Sequence, residues 1–151
     1  MIAAEPSRSR AGSAFTLLVL EVFRFNGKLL AAGDKLVREF GLTSSLWQVL
    51  GAVGYVAGGP LTVAQIARHM GLARQSVQRS AAILAEKGLV TFEDNPDHKR
   101  APLVTLTTRG HEVLEAVMAV QAGWADSVAR GEKAEAIENA VTLMRWLSER
   151  L

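Results

Sequence analysis

Two arginines and two glutamines, Arg74, Gln75, Gln78 and Arg79, fall on one side of a predicted helix near its start. Guanidinium and amide groups present hydrogen-bond donors and acceptors in a fork that matches the edges of guanine and adenine in the major groove of DNA. The N-terminus of a helix also carries a partial positive charge that favours phosphate groups. The alternative is an ordinary solvated helix face, which these four residues alone do not exclude.

The residues around this face predict two helices joined by a tight turn. Thr62 can cap a short helix that runs to Met70, and Gly71 follows where the chain must turn and a positive φ is favoured. A second helix is expected from about Ala73 to Lys87, with Gly88 as its stop. The small residue, the glycine and the β-branched residue at Ala67, Gly71 and Val77 have the spacing of a helix-turn-helix. The predicted buried sides are Val63, Ile66, Ala67 and Met70 in the first helix, and Val77, Ala81 and Leu84 in the second.

A short hairpin is predicted directly after the second helix. Leu89 to Phe92 is one apolar strand candidate, and Leu103 to Leu106 is the other, with Asn95-Pro96 as a turn signal between them. The tip would hold His98, Lys99 and Arg100. Beside a helix-turn-helix, such a hairpin is a wing that places basic groups over the DNA backbone or in a minor groove. An ordinary charged hairpin is the alternative, but the parts occur together and in order.

With these parts in place, the chain resembles the MarR family of winged-helix transcription regulators. The resemblance is carried by LTVAQIARHMGLARQSVQR, by EKGLV and by NPDHKRAPLVTLTTRG, and more weakly by GLTSSLWQVL. It implies a dimer that binds duplex DNA. The residues expected to enter the major groove are Arg74, Gln75, Ser76, Gln78 and Arg79, and those expected at the flanking backbone or minor groove are His98, Lys99 and Arg100.

Two positions depart from the family's pattern. Ala73 stands where members usually carry Ser or Thr, so the second helix lacks a side-chain N-cap. His98 stands two residues before Arg100, where members usually carry the Asp that holds this arginine. Asp97 is the candidate to take over that role.

The ends of the chain predict apolar helices that need a partner. A long helix is expected to begin near Ser13, after a frayed tail over residues 1–11, with Gly33 and Gly41 as breaks before the next helix. Its seam alternates spacings of three and four residues, as in a coiled coil. The seam residues are Phe15, Leu18, Val22, Phe25 and Leu29. The next helix can be capped by Thr43, Ser44 or Ser45, carries the stripe Leu46, Val49, Leu50, Val53 and Val56, and should end at Gly58-Gly59-Pro60.

Two further helices are predicted near the C-terminus. The first starts at Thr107 or Thr108 and carries Val113, Val117, Val120, Trp124 and Val128, and the second carries Ile137, Ala140, Met144, Leu147 and Leu151. Neither end of the chain forms a core by itself, so a two-fold homodimer is the expected solution, with a monomeric helical bundle as the alternative. The MarR resemblance implies the same dimer.

Composition limits the other possible functions. There are no cysteines, which excludes disulfides, thiolate metal sites and thiol-based redox sensing and agrees with a cytoplasmic location. The three histidines show no metal-ligand spacing, and no catalytic motif is present, so no cofactor, no metal and no enzymatic activity are expected. No apolar run reaches membrane-spanning length. Residues 61–110 hold seven Lys or Arg against four Asp or Glu, whereas residues 111–151 hold four against seven. The excess of basic charge therefore lies in the predicted helix-turn-helix and wing.

A small-molecule site is a further expectation from the resemblance, because MarR-like proteins often bind small aromatic effectors. The candidate lining residues are Phe23, Asn26, Trp47 and Tyr55. Core packing is the commoner use of an aromatic at helical spacing, and it is the preferred interpretation of Trp47. Asn26 is equally consistent with a solvent-facing position.

The sequence therefore predicts a mainly α fold with a small β-wing, as one MarR-like domain over residues 1–151. Residues 43–110 would form the winged-helix module, called the reading module below, and residues 12–40 and 108–151 would form the dimerisation helices. The expected function is regulation of transcription by sequence-specific binding to palindromic double-stranded DNA, as a repressor relieved by a small-molecule effector. The alternative is a winged-helix module that binds protein instead of DNA.

Overall fold

The structure, a computed structural model, describes residues 7–56 and 59–151, with the side chain of Val56 left out. It forms two compact units, Met1–Val117 and Met118–Leu151, with the boundary inside one helix. The helices are α1 (Arg10–Val37), α2 (Ser44–Gly51), α3 (Val63–Met70), α4 (Arg74–Glu86), α5 (Thr108–Ala129) and α6 (Ala134–Ser148). A 3-10 turn, Arg38–Phe40, follows α1, and a π-helical turn, Ala52–Val56, follows α2. The strands are β1 (Leu61–Thr62), β2 (Val90–Glu93) and β3 (Leu103–Leu106).

The three strands form one antiparallel sheet in the order β1-β3-β2. The register pairs Leu61 with Val104 and Val90 with Leu106, so the hairpin of β2 and β3 is fastened to the start of α3 through β1. Val90, Val104 and Leu106 point inward and are buried. A mainly helical fold with a small winged sheet is therefore confirmed.

The helix-turn-helix forms where its local signals predict it. The Thr62 hydroxyl accepts a hydrogen bond from the backbone N–H of Gln65 at 3.2 Å, and the Gln65 side chain accepts one from the backbone N–H of Thr62 at 2.8 Å. This reciprocal capping box fixes the start of α3. Gly71 ends α3 with φ of 64°, a left-handed conformation that costs a glycine nothing. Ile66, Ala67, Val77, Ala81 and Leu84 are buried between the two helices and their surroundings, together with Ser80, which the sequence pattern did not indicate.

Helix α1 is longer than predicted and has no break at Gly33. Ser9 caps it, since its hydroxyl accepts a hydrogen bond from the backbone N–H of Gly12 at 3.0 Å, so Arg10 and Ala11 are helical and not part of a tail. The rest of that predicted tail, residues 1–6, lies outside the described residues. Gly33 is buried inside the helix, and a Cβ at this position would collide with the Ser44 hydroxyl. The glycine is therefore a point of close approach to α2.

The contact between α1 and α2 is completed by hydrogen bonds. The Ser44 hydroxyl donates to the carbonyl oxygen of Leu30 at 2.6 Å, and the Ser44 backbone N–H donates to Asp34 Oδ1 at 2.7 Å. Of the three candidates, the cap of α2 is Thr43, whose hydroxyl accepts from the backbone N–H of Leu46, and Ser44 is the first residue of the helix. Helix α2 also ends earlier than predicted, at Gly51, and the π-helical turn continues the chain. The predicted stop begins at Gly58, which is outside the described residues.

Helix α5 is anchored to the reading module by its first turn. The Thr107 hydroxyl donates to the carbonyl oxygen of Gly88 at 2.7 Å and accepts from the backbone N–H of Gly110 at 2.9 Å. Of the predicted stripe, Val117 is buried, Val113 and Trp124 are half-buried, and Val120 and Val128 are exposed. In the unit Met118–Leu151, all of which is described, no residue is buried within the chain. The C-terminal stripes thus form helices, except that α6 ends at Ser148 and the predicted stripe residue Leu151 lies beyond it. This chain alone does not cover these stripes.

Candidate nucleic-acid interface

The polar face of α4 is presented to solvent in the way its periodicity predicts. Arg74, Gln75, Ser76, Gln78 and Arg79 are all exposed. The residues that alternate with them at helical spacing are buried in the core, which fixes the rotation of the helix. As the sequence indicated, Ala73 precedes the helix without a side-chain cap, so the first backbone N–H groups of α4 have no side-chain partner at this end.

A cleft of about 750 Å³ is lined by this face of α4 and by the base of the wing. Arg100, Ala101 and Pro102 form one wall, and the start of α3 contributes to another. The predicted DNA-binding residues that line it are Arg74, Gln75, Gln78, Arg79 and Arg100. Four side chains of one helix and one from the wing, more than twenty positions away in sequence, therefore border one concave surface.

A second cleft, of about 800 Å³, shares Arg74 with the first. His98 and Asp97 of the wing tip line it, together with Arg68 near the end of α3. Arg68 is exposed and was not among the predicted DNA-binding residues. Its basic charge in the last turn of the first helix of the helix-turn-helix is the signal that could have identified it. Arg74 is the one arginine that borders both clefts.

Ser76 and Lys99 are the predicted contacts that border neither cleft. Both side chains are exposed, Ser76 on α4 and Lys99 at the tip of the hairpin. A cation at a hairpin tip is placed to reach a phosphate beyond the main contact surface. The structure thus brings together most, but not all, of the predicted DNA-binding set.

The tip of the wing is held by the side chain of Asn95. Its Oδ1 accepts a hydrogen bond from the backbone N–H of Asp97 at 3.0 Å, and its Nδ2 donates one to the carbonyl oxygen of Ala101 at 2.9 Å. Backbone bonds add to this, from the N–H of His98 to the carbonyl oxygen of Asn95 and from the N–H of Ala101 to that of His98. The sequence marked Asn95 as a turn residue, without indicating that its amide joins the two sides of the loop.

Arg100 is not held by an acidic side chain. In the described part of the chain the one ion pair joins Arg24 to Glu21 on α1, so Asp97 does not replace the acid that His98 displaces. Within the same part of the chain, Arg74 and Arg79 form no ion pair with a carboxylate either. Their positive charge remains available to an anionic partner.

The four candidate effector residues lie on three elements. Phe23 and Asn26 are exposed on α1, and Tyr55 is half exposed in the π-helical turn. Trp47 is half-buried on α2, and its Cζ3 lies 3.6 Å from where a Cβ on Gly33 would stand. This position suits the packing of α1 against α2. No hydrogen bond of the Asn26 side chain is present among the described residues.

Other kinds of site find no support in the described residues. Over residues 7–56 and 59–151, no group of three or more His, Asp or Glu side chains could hold a metal ion. Among the helices of that same part, none is both long enough and apolar enough to traverse a bilayer.

Comparison with known proteins places the same region in a regulator family. The sequence model described as MarR family matches residues 40–101, which contain α3, α4 and the wing as far as its tip, but not β3. An uncharacterised protein of Mycobacterium tuberculosis is 42% identical over 100 residues, which are 66% of this chain and 68% of that protein. The transcriptional activatory protein BadR of Rhodopseudomonas palustris is 30% identical over 100 residues, 65% of this chain and 57% of BadR.

Solved structures share the fold at lower identity. CouR of Rhodococcus jostii, in a crystal structure with bound p-coumaroyl-CoA, aligns with a TM-score of 0.74 and is 20% identical in sequence. The alignment covers 93% of this chain and 95% of CouR. The likeness therefore extends over the terminal helices as well as over the region that the family model matches.

Proposed function

This chain belongs to the MarR family, and from that premise we propose that it regulates transcription by binding duplex DNA as a homodimer. The observation that carries the proposal is the first cleft, where Arg74, Gln75, Gln78 and Arg79 meet Arg100 of the wing. Arginine reads guanine through two acceptors, and glutamine reads adenine through one donor and one acceptor. Helix α4 would lie in the major groove, and the wing would reach the neighbouring backbone or minor groove.

The uncovered apolar side chains of the terminal helices support the homodimer. Phe23 is 70% exposed on α1, and Trp146 and Leu143 are about half exposed on α6. Exposed apolar side chains of this size, repeated along a helix, mark a surface that another protein covers. A second copy would place two α4 helices about a two-fold axis, which predicts a palindromic site with half-sites about 10 bp apart. The domain division into a reading module and dimerisation helices belongs to the same proposal.

Repression relieved by a small effector is the finer part of the proposal. CouR was crystallised with p-coumaroyl-CoA, which supports a ligand-responsive regulator, whereas the name of BadR describes an activator. The same DNA-bound dimer represses or activates according to where its site lies relative to the promoter. An effector would act by favouring a spacing of the two α4 helices that does not match the groove, which shifts the population away from the DNA-competent form. Such a regulator would work in the cytoplasm, where the genome is accessible.

Selection from a randomised duplex pool at a stated salt concentration tests the proposal. The wild-type protein should enrich a palindrome, and Arg74→Ala and Arg79→Ala should each lose about 1–3 kcal/mol of specific affinity for it. Arg130→Ala is the matched control, since it removes the same charge from an exposed position that borders neither cleft. Wild-type affinity in both cleft variants would defeat the assignment of α4. No enrichment by the wild-type protein would instead favour a winged-helix module that binds protein.

A further inference from the structure

The position of the Asn95 side chain in the wing tip suggests a role beyond forming the turn. Asn95 is the one residue among residues 91–100 that is not exposed. Its amide lies between the outgoing and returning limbs of the loop and is bonded to each. The cations that the loop carries, Lys99 and Arg100, are exposed and have no ion-pair partner in the described residues.

We propose that Asn95 is a positioning residue, which orders the wing tip in the free protein, so that Lys99 and Arg100 are already in position when the protein binds DNA. This inference rests on the DNA-binding function proposed above. A binding loop that is ordered beforehand loses less conformational entropy when it engages its partner. Asn95 would thus increase affinity without touching DNA itself.

The chemistry of the two bonds requires an amide at this position. The N–H of Asp97 needs an acceptor, and the carbonyl oxygen of Ala101 needs a donor. An asparagine amide offers one of each at its two ends, whereas a carboxylate would place a second acceptor against the Ala101 oxygen. Asn95 is also the only residue of the tip whose side chain forms hydrogen bonds among those described. No acid–base pair duplicates its function, because Asp97 and Arg100 do not form a salt bridge.

The position of Ala101 connects the amide to the reading surface. Ala101 borders both clefts, directly after Arg100 in the chain. A hydrogen bond to its carbonyl oxygen therefore restrains the backbone next to the wing arginine. Loss of that bond should loosen Arg100 relative to α4, whereas the pairing of β2 with β3 should remain intact.

A double-mutant cycle tests this role with the full-length protein and the selected duplex. Asn95→Ala should weaken binding roughly threefold to tenfold, because the loop must then be ordered on binding. In a Lys99→Ala/Arg100→Ala background the same change should weaken binding less than about twofold, since the groups that it positions are gone. The preferred sequence should not change. An equal loss in both backgrounds, or no loss in either, would overturn the proposal.

Asp97→Ala is the matched control within the same loop. It keeps the backbone N–H that bonds Asn95 and removes a carboxylate that forms no ion pair, so affinity should not fall. A loss as large as that of Asn95→Ala would assign the positioning to the carboxylate and contradict the inference.

Hydrogen exchange of the free protein supplies a readout that is independent of DNA. In Asn95→Ala the amides of Asp97, His98 and Ala101 should exchange faster, while those of α3 and α4 keep their rates. Unchanged exchange at the tip would show that the amide does not order it, and faster exchange throughout would indicate general destabilisation instead. If the wild-type protein binds no duplex, the proposed function fails and this role fails with it. If the wild-type protein and Asn95→Ala bind equally, only the role of Asn95 fails.

Discussion

The reading module and the C-terminal unit use apolar residues in opposite ways. In the module, Ile66, Val77 and Leu84 are fully buried within the chain. In Met118–Leu151, the side chains of Val128, Leu143 and Trp146 are about half exposed or more. Both regions have the periodicity of amphipathic helices, so the difference lies in whether the chain itself supplies the surface that covers the apolar side.

This difference between the two regions agrees with the functions proposed for them. A reading surface needs a fixed backbone, since side chains must meet base edges within hydrogen-bond distance. The module obtains that rigidity from its own core. An apolar surface left open by the fold is a means of association, and association places two reading surfaces at a defined spacing.

The largest expected effect is on the core of the module. Leu84→Ala should lower the free energy of unfolding by about 2–5 kcal/mol, because it removes a fully buried side chain and leaves a cavity. Urea denaturation measures the change. The matched control is Leu151→Ala, at the last position of the chain beyond the end of α6, where the leucine is 96% exposed and the change should be within about 0.5 kcal/mol. Equal costs at the two leucines would remove the contrast between the regions.

A smaller effect is expected on association. Leu143→Asp should raise the dissociation constant of the dimer at least about tenfold, or about 1.4 kcal/mol, by placing a carboxylate in the covered surface. Sedimentation equilibrium over a range of protein concentrations measures it. Thr142→Asp introduces the same charge at the adjacent, polar position of α6 and should have little effect. A wild-type protein that is monomeric at every concentration would refute the proposed dimer.

The smallest effect concerns the charge contrast between the basic wing and the acidic C-terminal segment. Lys99→Ala should weaken binding evenly across duplex sequences and reduce the slope of log affinity against log salt by about 1, since one phosphate contact is lost. Lys133→Ala, in the C-terminal unit, should leave the slope as it is. An unchanged slope in Lys99→Ala would mean that this lysine contacts no phosphate.

Much of the fold was predictable because its signals are local. Thr62 with Gln65 three residues later, the positive φ of Gly71 and the buried spacing of Val77 and Leu84 depend only on neighbours in sequence. The exposure of Arg74 and Arg79 follows from the same spacing. One error arose where a contact between two helices decides the outcome, at Gly33, which the local pattern marks as a break and the approach of Ser44 turns into a packing position. The error at the start of α1 is different, because the Ser9 cap is a local signal that was not recognised.

The sequence by itself determined the helix-turn-helix, the wing and the polar face of α4, because capping, turn formation and helical periodicity are set by residues close along the chain. Only the tertiary structure decided that Arg100 shares a cleft with α4, that Arg68 joins the basic face and that Asn95 closes the wing tip. The first two arrangements depend on the packing of elements that are distant in sequence, and the third depends on a loop conformation that brings the Asn95 amide to both limbs of the loop. No local pattern specifies the distances between these groups.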